Sequence, residues 1–356
     1  MKKQDLINLV KYHIENNDVA FSTTVTEIAK EFDQMGDTNT ASYLMELISS
    51  VSFYTPQNSY SYNNYKFLNK INYSSEPLLL PNIIEEDILG VIKAINKKIN
   101  LSKFLFYGKP GSGKTESAHQ IARLLERDIL SVSYEQLLDS RLGETSKNIS
   151  LLFDEINHLP YNHVIVLFDE IDSIVMDRVN KNDLREMGRV TSTFLKGLDS
   201  LNENIVLIAT TNLISGFDKA LIRRFDSAIS FDRYSRNDLI EIADSILSIY
   251  LKKVNHLKRD MRLFNKILLN LSEIPFPGEL KQIIKTSIAF SDDNNEYDYL
   301  RKFYLSVNDN PDIIDIQILK EKGYTTREIE ILTKIPKSSV SRKLRNNIWT
   351  QFYKLN

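Results

Sequence analysis

The chain of 356 residues contains no cysteine. This excludes disulfides, thiolate nucleophiles and cysteine-ligated zinc, and agrees with a reducing compartment. Its five histidines, His13, His119, His158, His163 and His256, stand at no metal-ligand spacing, so no structural zinc is expected. An excess of one charge sign is also missing: 45 Lys and Arg face 47 Asp and Glu. A polyanionic or membrane partner would therefore need a local patch rather than a global field. No apolar run approaches the ~20 residues that span a bilayer. The opening Met1-Lys2-Lys3-Gln4-Asp5-Leu6 lacks the apolar centre of a secretion signal. A soluble, cytoplasmic protein without a membrane partner is expected. There is no His-Glu-x-x-His and no nucleophile triad of a protease.

What is present centres on one stretch. Lys103 to Tyr107 is an apolar, aromatic run suited to a buried strand, and it breaks into Gly108-Lys109-Pro110-Gly111-Ser112-Gly113-Lys114-Thr115. Every fixed position of G-x-x-x-x-G-K-[ST] is filled. Glycines at 111 and 113 allow backbone turns that a side chain forbids, so successive N–H groups can face phosphate oxygens. A helix expected over Glu116–Glu126 adds its unpaired N–H groups and positive dipole end. Lys114 can reach the β- and γ-phosphates, and the Thr115 hydroxyl can ligate Mg²⁺. A nucleoside triphosphate ligand, ATP with Mg²⁺, follows from this pattern, with Gly108, Pro110, Gly111, Ser112, Gly113, Lys114, Thr115 and Glu116 lining its phosphates.

Downstream, strands and helices alternate. Strands are expected at 129–133, 163–168, 204–210 and 227–231, and helices at 145–156 and 186–198. Such alternation indicates an α/β fold, a parallel sheet covered by helices, with ligands at the carboxyl ends of the strands. The run Val164-Ile165-Val166-Leu167-Phe168 ends in Asp169-Glu170. Asp169 can hold Mg²⁺ beside the phosphate loop, and Glu170 can polarise a water for attack on the γ-phosphate. A second buried run ends at Asn212, which can orient that water or act as a turn former. Arg223 and Arg224 follow a short helix. They either cap it and sit in solvent, or reach a phosphate in a neighbouring subunit.

The chain divides into a helical N-terminal domain (1–51), a linker (52–77), an α/β core (78–234), a helical lid (235–292), a second linker (293–311) and a C-terminal unit (312–356). The first linker holds Tyr54, Tyr60, Tyr62, Tyr65 and Tyr73 among Ser and Asn. These tyrosines suit packing on neighbouring surfaces better than stacking on bases.

Residues 108–115, 164–172, 205–212 and 220–226, in this order and spacing, resemble the Walker A, Walker B, sensor-1 and arginine-finger segments of the AAA family of ring-forming ATPases. The resemblance covers roughly residues 78–291. It implies a nucleotide site at subunit interfaces, usually of a homo-hexamer, with Glu170 as hydrolytic base, Asn212 as sensor 1, and Arg223 and Arg224 acting on the adjacent subunit. Gly278 stands where other branches of the superfamily carry an arginine. Arg141-Leu142-Gly143 falls where many members carry an aromatic–hydrophobic–glycine pore loop, and Arg141 replaces the aromatic. A guanidinium leaves room for an acidic peptide or nucleic acid there. Residues 13–18, 26–29 and 182–189 are loosely similar to small bacterial AAA ATPases encoded beside subtilisin-like serine proteases, which implies a protease as a candidate partner.

Residues 318–344 have the rhythm of a helix-turn-helix, with Thr325 or Thr326 as cap, Ile335-Pro336 as turn and Val340 and Leu344 buried. Between Ile318 and Arg345 stand eight Lys or Arg against three Glu. Ser338, Ser339 and Arg342 are expected toward a DNA major groove, with Lys337 and Lys343 near phosphates. The alternative is a protein-binding module with a solvated basic face.

Overall fold

A computed structural model of the chain describes residues 3–14, 18–35, 37–38, 40–44, 65–72, 78–97, 99–139, 141, 143–175, 184–308 and 315–352. Tyr54, Tyr60, Tyr62, Tyr73 and Leu142, and residues 182–183 and 309–311 of the stretches named above, lie outside the described residues. The chain forms two units, Met1–Tyr62 and Asn63–Asn356. In the first, helices α1 (Lys3–Ile14) and α2 (Asp18–Gln34) occur, and Val25, Ile28 and Ala29 are buried at helical spacing.

The second unit is built on a six-stranded sheet of order β1-β3-β4-β5-β2-β6. Strand β1 (Leu68–Ile71) precedes helix α3 (Asn82–Lys97), and β2 (Lys103–Tyr107) runs into the phosphate loop and α4 (Lys114–Leu124). Strand β3 (Asp128–Val132), α5 (Glu144–Asn157), β4 (Val164–Phe168), α6 (Leu184–Asp199), β5 (Val206–Thr211) and β6 (Ser227–Ser230) follow. From β3 to β6 all neighbouring strands are parallel. β4 and β5 are buried along their whole length, which is why they read as unbroken apolar runs rather than alternating ones.

β1 lies inside the stretch expected as linker and pairs antiparallel with β3. Its four residues, only one of them fully buried, are too short and polar to stand out as a strand. Lys70 on this edge bonds Asp128 at 2.8 Å, and Ser133 N donates to Phe67 O at 2.9 Å.

One sheet face is covered by α3 and α4, through Ile84, Ile88, Val91, Ala118, Ile121 and Ala122. On the other, Phe153 of α5, Phe168 of β4 and Phe194 of α6 form an aromatic triangle with centroids 5.4–6.0 Å apart. Gly197 permits it: a Cβ there would lie 2.1 Å from the Phe153 ring.

Helices α7 (Arg236–Leu251), α8 (Met261–Leu269) and α9 (Pro277–Ala289) occupy the span expected as a helical lid, and are termed the lid helices. The span expected as a second linker contains α10 (Asp298–Val307), whose Tyr299, Leu300 and Phe303 are buried against the lid. The C-terminal helices α11 (Ile316–Glu321), α12 (Thr326–Thr333) and α13 (Lys337–Phe352) bury Leu319, Tyr324, Ile329, Leu332 and Val340 in the same cluster. The C-terminal unit therefore shares the lid's core instead of standing apart from it.

Candidate active site

Neighbouring strands β4, β5 and β2 bring their carboxyl ends together, and each carries one part of the site. At the end of β2 the loop winds through Gly108, Gly111 and Gly113 at φ of 148°, 73° and 94°, conformations that favour glycine. Position 108 is doubly restricted, because a Cβ would meet Asp232 Oδ1 at 2.8 Å and the Phe231 carbonyl carbon at 3.1 Å. Asp232 also accepts from Lys109 N at 2.7 Å and so pins the first turn of the loop.

Lys114 opens α4 and is buried. Its Nζ donates to Gly108 O at 2.8 Å and Lys109 O at 2.9 Å. Burial pulls the ammonium below its ordinary pKa, and the charges of Asp232, Asp169, Glu170 and Asp172 oppose that pull. The carboxylates thus favour a cation at the centre of the phosphate loop.

Asp169 Oδ1 accepts from the Thr115 hydroxyl at 2.7 Å and the Thr210 hydroxyl at 2.6 Å. The Thr210 oxygen in turn accepts from Glu170 N at 2.9 Å. Glu170 follows β4 at φ 54°, left-handed backbone that is uncommon outside glycine and concentrates at functional sites. Its Oε1 accepts from Asn212 Nδ2 at 3.4 Å. Asp172 anchors the other side of that loop, accepting from Thr211 Oγ1 at 2.9 Å and Asn212 N at 3.4 Å. One connected network runs from Thr115 through Asp169 and Thr210 to Glu170 and Asn212. Thr210, Asp172 and Asp232 were not singled out in sequence. Their signal was faint: small polar residues at strand ends, which serve as turn formers anywhere.

These groups open onto a cleft of about 570 Å³ lined by Pro110, Gly111, Gly113, Thr115, Glu116, Glu170 and Asn212, among others. Ser112 is buried beneath it, and its carbonyl accepts from the Tyr234 hydroxyl at 2.6 Å. The far half of the cleft is apolar, formed by Leu78, Leu79, Ile242, Ile246, Ile249 and Tyr250 from the strap before α3 and from lid helix α7. An apolar slot next to a few convergent polar groups is the general form of a small-molecule or cofactor site. Lid helix α9 closes over the loop, with Gly278 N donating to Gly111 O at 2.8 Å. A Cβ on Gly278 would come within 2.9 Å of Gly111 Cα, so no side chain fits between lid and loop. Thr115 and Asp169 present only oxygen donors, 2.7 Å apart, beside the phosphate end. This donor set suits Mg²⁺, which binds through one or two protein oxygens plus phosphates and water.

Arg223 and Arg224 do not join this cleft. Arg223 is exposed at the end of a single helical turn, Lys219–Ile222. Arg224 bonds Asp199 at 2.9 Å and donates to Ala220 O at 2.8 Å. Arg141 is exposed but not a free cation: Asp139 accepts from its Nε at 3.1 Å, its Nη2 at 2.9 Å and its backbone N at 2.9 Å. The Arg141 hydrogen bonds hold the Asp139 carboxyl down to about 2. Gly143 follows at φ 83° and caps α5. On α13, Lys337, Ser338, Arg342, Lys343 and Arg345 are exposed, while Ser339 is half-buried beside Val340.

Residues 104–233 match the profile of the ATPase family associated with various cellular activities (AAA). An uncharacterized AAA family ATPase of Sinorhizobium fredii is 34% identical over 154 residues, 41% of this chain and 46% of that protein. The peroxisomal ATPase PEX6 of Candida glabrata is 32% identical over 174 residues, 42% of this chain and 17% of that protein. The chain thus spans under half the length of these relatives. A chain of the E. coli MS115-1 HORMA:CdnC:Trip13 complex shares the fold, with a TM-score of 0.51 at 18% identity over 67% of this chain and 94% of that one. The segment that holds the phosphate loop and the Asp169–Glu170 strand end, residues 104–233, is thus similar to the ATPase domain of the AAA family.

Proposed function

We propose that the chain is the ATP-hydrolysing subunit of a ring, and that it couples hydrolysis to remodelling or delivering a protein or nucleic-acid substrate. The carrying observation is the network Thr115–Asp169–Thr210–Glu170–Asn212 at the mouth of the cleft. In this reading the phosphate loop and Lys114 hold the triphosphate, and Thr115 and Asp169 hold Mg²⁺. The metal supplies charge neutralisation to the phosphates when bound. Glu170 takes the proton of the attacking water, and Asn212 keeps the Glu170 carboxylate and that water in line.

Exposed Arg223, which does not line its own cleft, suits a finger that serves the next subunit, as the resemblance to ring-forming ATPases implies. A homo-hexamer is the favoured ring. The protease-partner reading rests only on the loose likeness of residues 13–18, 26–29 and 182–189. No helix among the described residues is long and apolar enough to cross a membrane. The deciding experiment is Glu170→Gln. This variant is expected to bind labelled ATP like the parent while turnover drops by about 10²–10⁴-fold, the worth of a positioned general base. Hydrolysis within a few-fold of the parent would remove Glu170 from the role.

A further inference from the structure

We infer that the exposed basic face of α13 is a surface for duplex DNA, and that its rigid mounting on the lid links DNA binding to the nucleotide in the cleft. The coupling rests on the reading of the cleft as a nucleotide site; the surface itself does not.

The surface comes first. Helix α13 carries Lys337, Arg342, Lys343 and Arg345 and no Asp or Glu anywhere from Lys337 to Phe352. Val340 is fully buried and Leu344 packs on the same core. Helical spacing then sets Ser338, Arg342 and Arg345 in one row on the opposite side, flanked by Lys337 and Lys343. Capping fixes the approach to this row: Thr325 and Glu328 form a capping box on α12, Lys334 ends that helix at φ 58°, and Pro336 precedes the first turn of α13. Three nearby acids are engaged by other groups, while Asp315 and Glu321 at the two ends of α11 stay exposed. Glu328 pairs Lys266 at 2.8 Å, Asp298 pairs Lys334 at 2.9 Å, and Glu330 accepts from Lys337 N at 2.9 Å. What is exposed among the described side chains of α13, residues 337–345, is cationic and hydroxylic, with planar guanidiniums that bond phosphate and base edges two atoms at a time. A polyanion with a groove as wide as a helix is the complementary partner; in a chain of net charge −2 this patch is a local exception.

The mounting comes second. Tyr324, Leu319, Ile329 and Leu332 share one apolar cluster with Phe264 and Leu268 of α8, Leu280 and Ile284 of α9 and Phe303 of α10. The Lys266–Glu328 and Lys334–Asp298 pairs tie α12 to α8 and the end of α12 to α10. Helix α9, which belongs to this body, begins at the Gly278–Gly111 hydrogen bond on the phosphate loop. A lid that shifts with nucleotide carries α13 with it, because close-packed cores move as units rather than deform.

The test uses the full chain, a short fluorescein-labelled DNA duplex and a fluorescent non-hydrolysable ATP analogue with Mg²⁺, each titrated with and without the other. The duplex is expected to bind in a salt-dependent manner. Arg342→Ala/Arg345→Ala should weaken it roughly tenfold or more and lower the salt slope by about two, while analogue affinity without DNA stays at the parental value. The analogue should change duplex affinity by some factor, and duplex should change analogue affinity by the same factor, as linkage requires. Absence of duplex binding, or equal binding by the double variant, overturns the surface. Duplex and analogue affinities that ignore each other overturn the coupling. A polyglutamate peptide that binds at Arg342 and Arg345 in place of duplex assigns the face to a protein and also overturns the proposal. Failure of the analogue to bind at all would take down the cleft reading and the coupling together, which separates that failure from a loss of DNA binding alone.

Discussion

Asp169 and Glu170 are placed by backbone and hydroxyls as much as by the strand that ends in them. A single oxygen, Thr210 Oγ1, donates to Asp169 at 2.6 Å and accepts from Glu170 N at 2.9 Å. Removing it loosens both residues without touching either, while Asp169 keeps its bond from Thr115 and Glu170 its bond from Asn212. Thr210→Val, close in volume, is expected to reduce ATP turnover by about 10–100-fold, the usual cost of losing a group that orients a metal-binding or catalytic residue. Because Asp169 is loosened as well, the Mg²⁺ concentration for half-maximal rate should rise. Thr210→Ser keeps the hydroxyl and should restore most of both. A Mg²⁺ titration of the three proteins checks this, and an unchanged titration in the valine variant would assign Thr210 a packing role only. At Arg141 the guanidinium bonds Asp139 at 2.9 Å and stays exposed, so an acidic substrate at this loop would compete with a weak surface ion pair.

Lid helix α9 starts where the chain has no side chain to place. The 2.9 Å approach a Cβ on Gly278 would make to Gly111 Cα lies between two backbones, and neither can yield as a side-chain tip could. Gly278→Ala is therefore expected to push lid from loop at a cost of ~1–3 kcal/mol. Since the cleft is closed on one side by α7 and α9, nucleotide affinity should fall roughly tenfold, as measured by titration with a fluorescent analogue. Gly90, inside α3 with nothing within 4 Å of a Cβ, is the control: alanine there should leave affinity alone and stabilise the protein by ~0.5–1 kcal/mol. Helices and parallel strands were legible in sequence because buried runs such as Val164–Phe168 and capped segments such as Ser235–Leu251 announce themselves locally. Strand β1 was not, since four residues gain their strand state only from pairing with β3.

On the scale of the proposed ring, an arginine acting in trans would add a further positive charge to a cleft already lined by Lys114, Lys253 and Lys281. Arg223 and Arg224 are the candidates, and neither reaches its own cleft. Arg223→Ala alone and Glu170→Gln alone should each abolish most turnover. Mixed in one population, they should regain activity, because a ring then holds interfaces that pair an intact Glu170 with an intact Arg223. Turnover that stays at the summed level of the two variants, or a chain that remains monomeric with ATP, would count against action in trans. Arg223 is the cleaner probe, since Arg224 also bonds Asp199 and Ala220 within its own chain.

Residue order alone determined the phosphate-loop chemistry, the two acids at a strand end, and the alternation that makes a sheet. These depend on neighbours in sequence: glycine torsions, a lysine six residues after the first glycine, and unbroken apolar runs. Tertiary structure decided what lies far apart in the chain. It set Asp232 against Gly108, 124 residues away, and Gly278 against Gly111, 167 residues away. It also turned an apparently separate C-terminal unit into part of the lid, since Leu319, Tyr324 and Leu332 could have closed a small core of their own and instead fill one begun by α8, α9 and α10. Which hydrophobic face covers which is a matter of shape and volume, and helical spacing in sequence carries only the existence of the face.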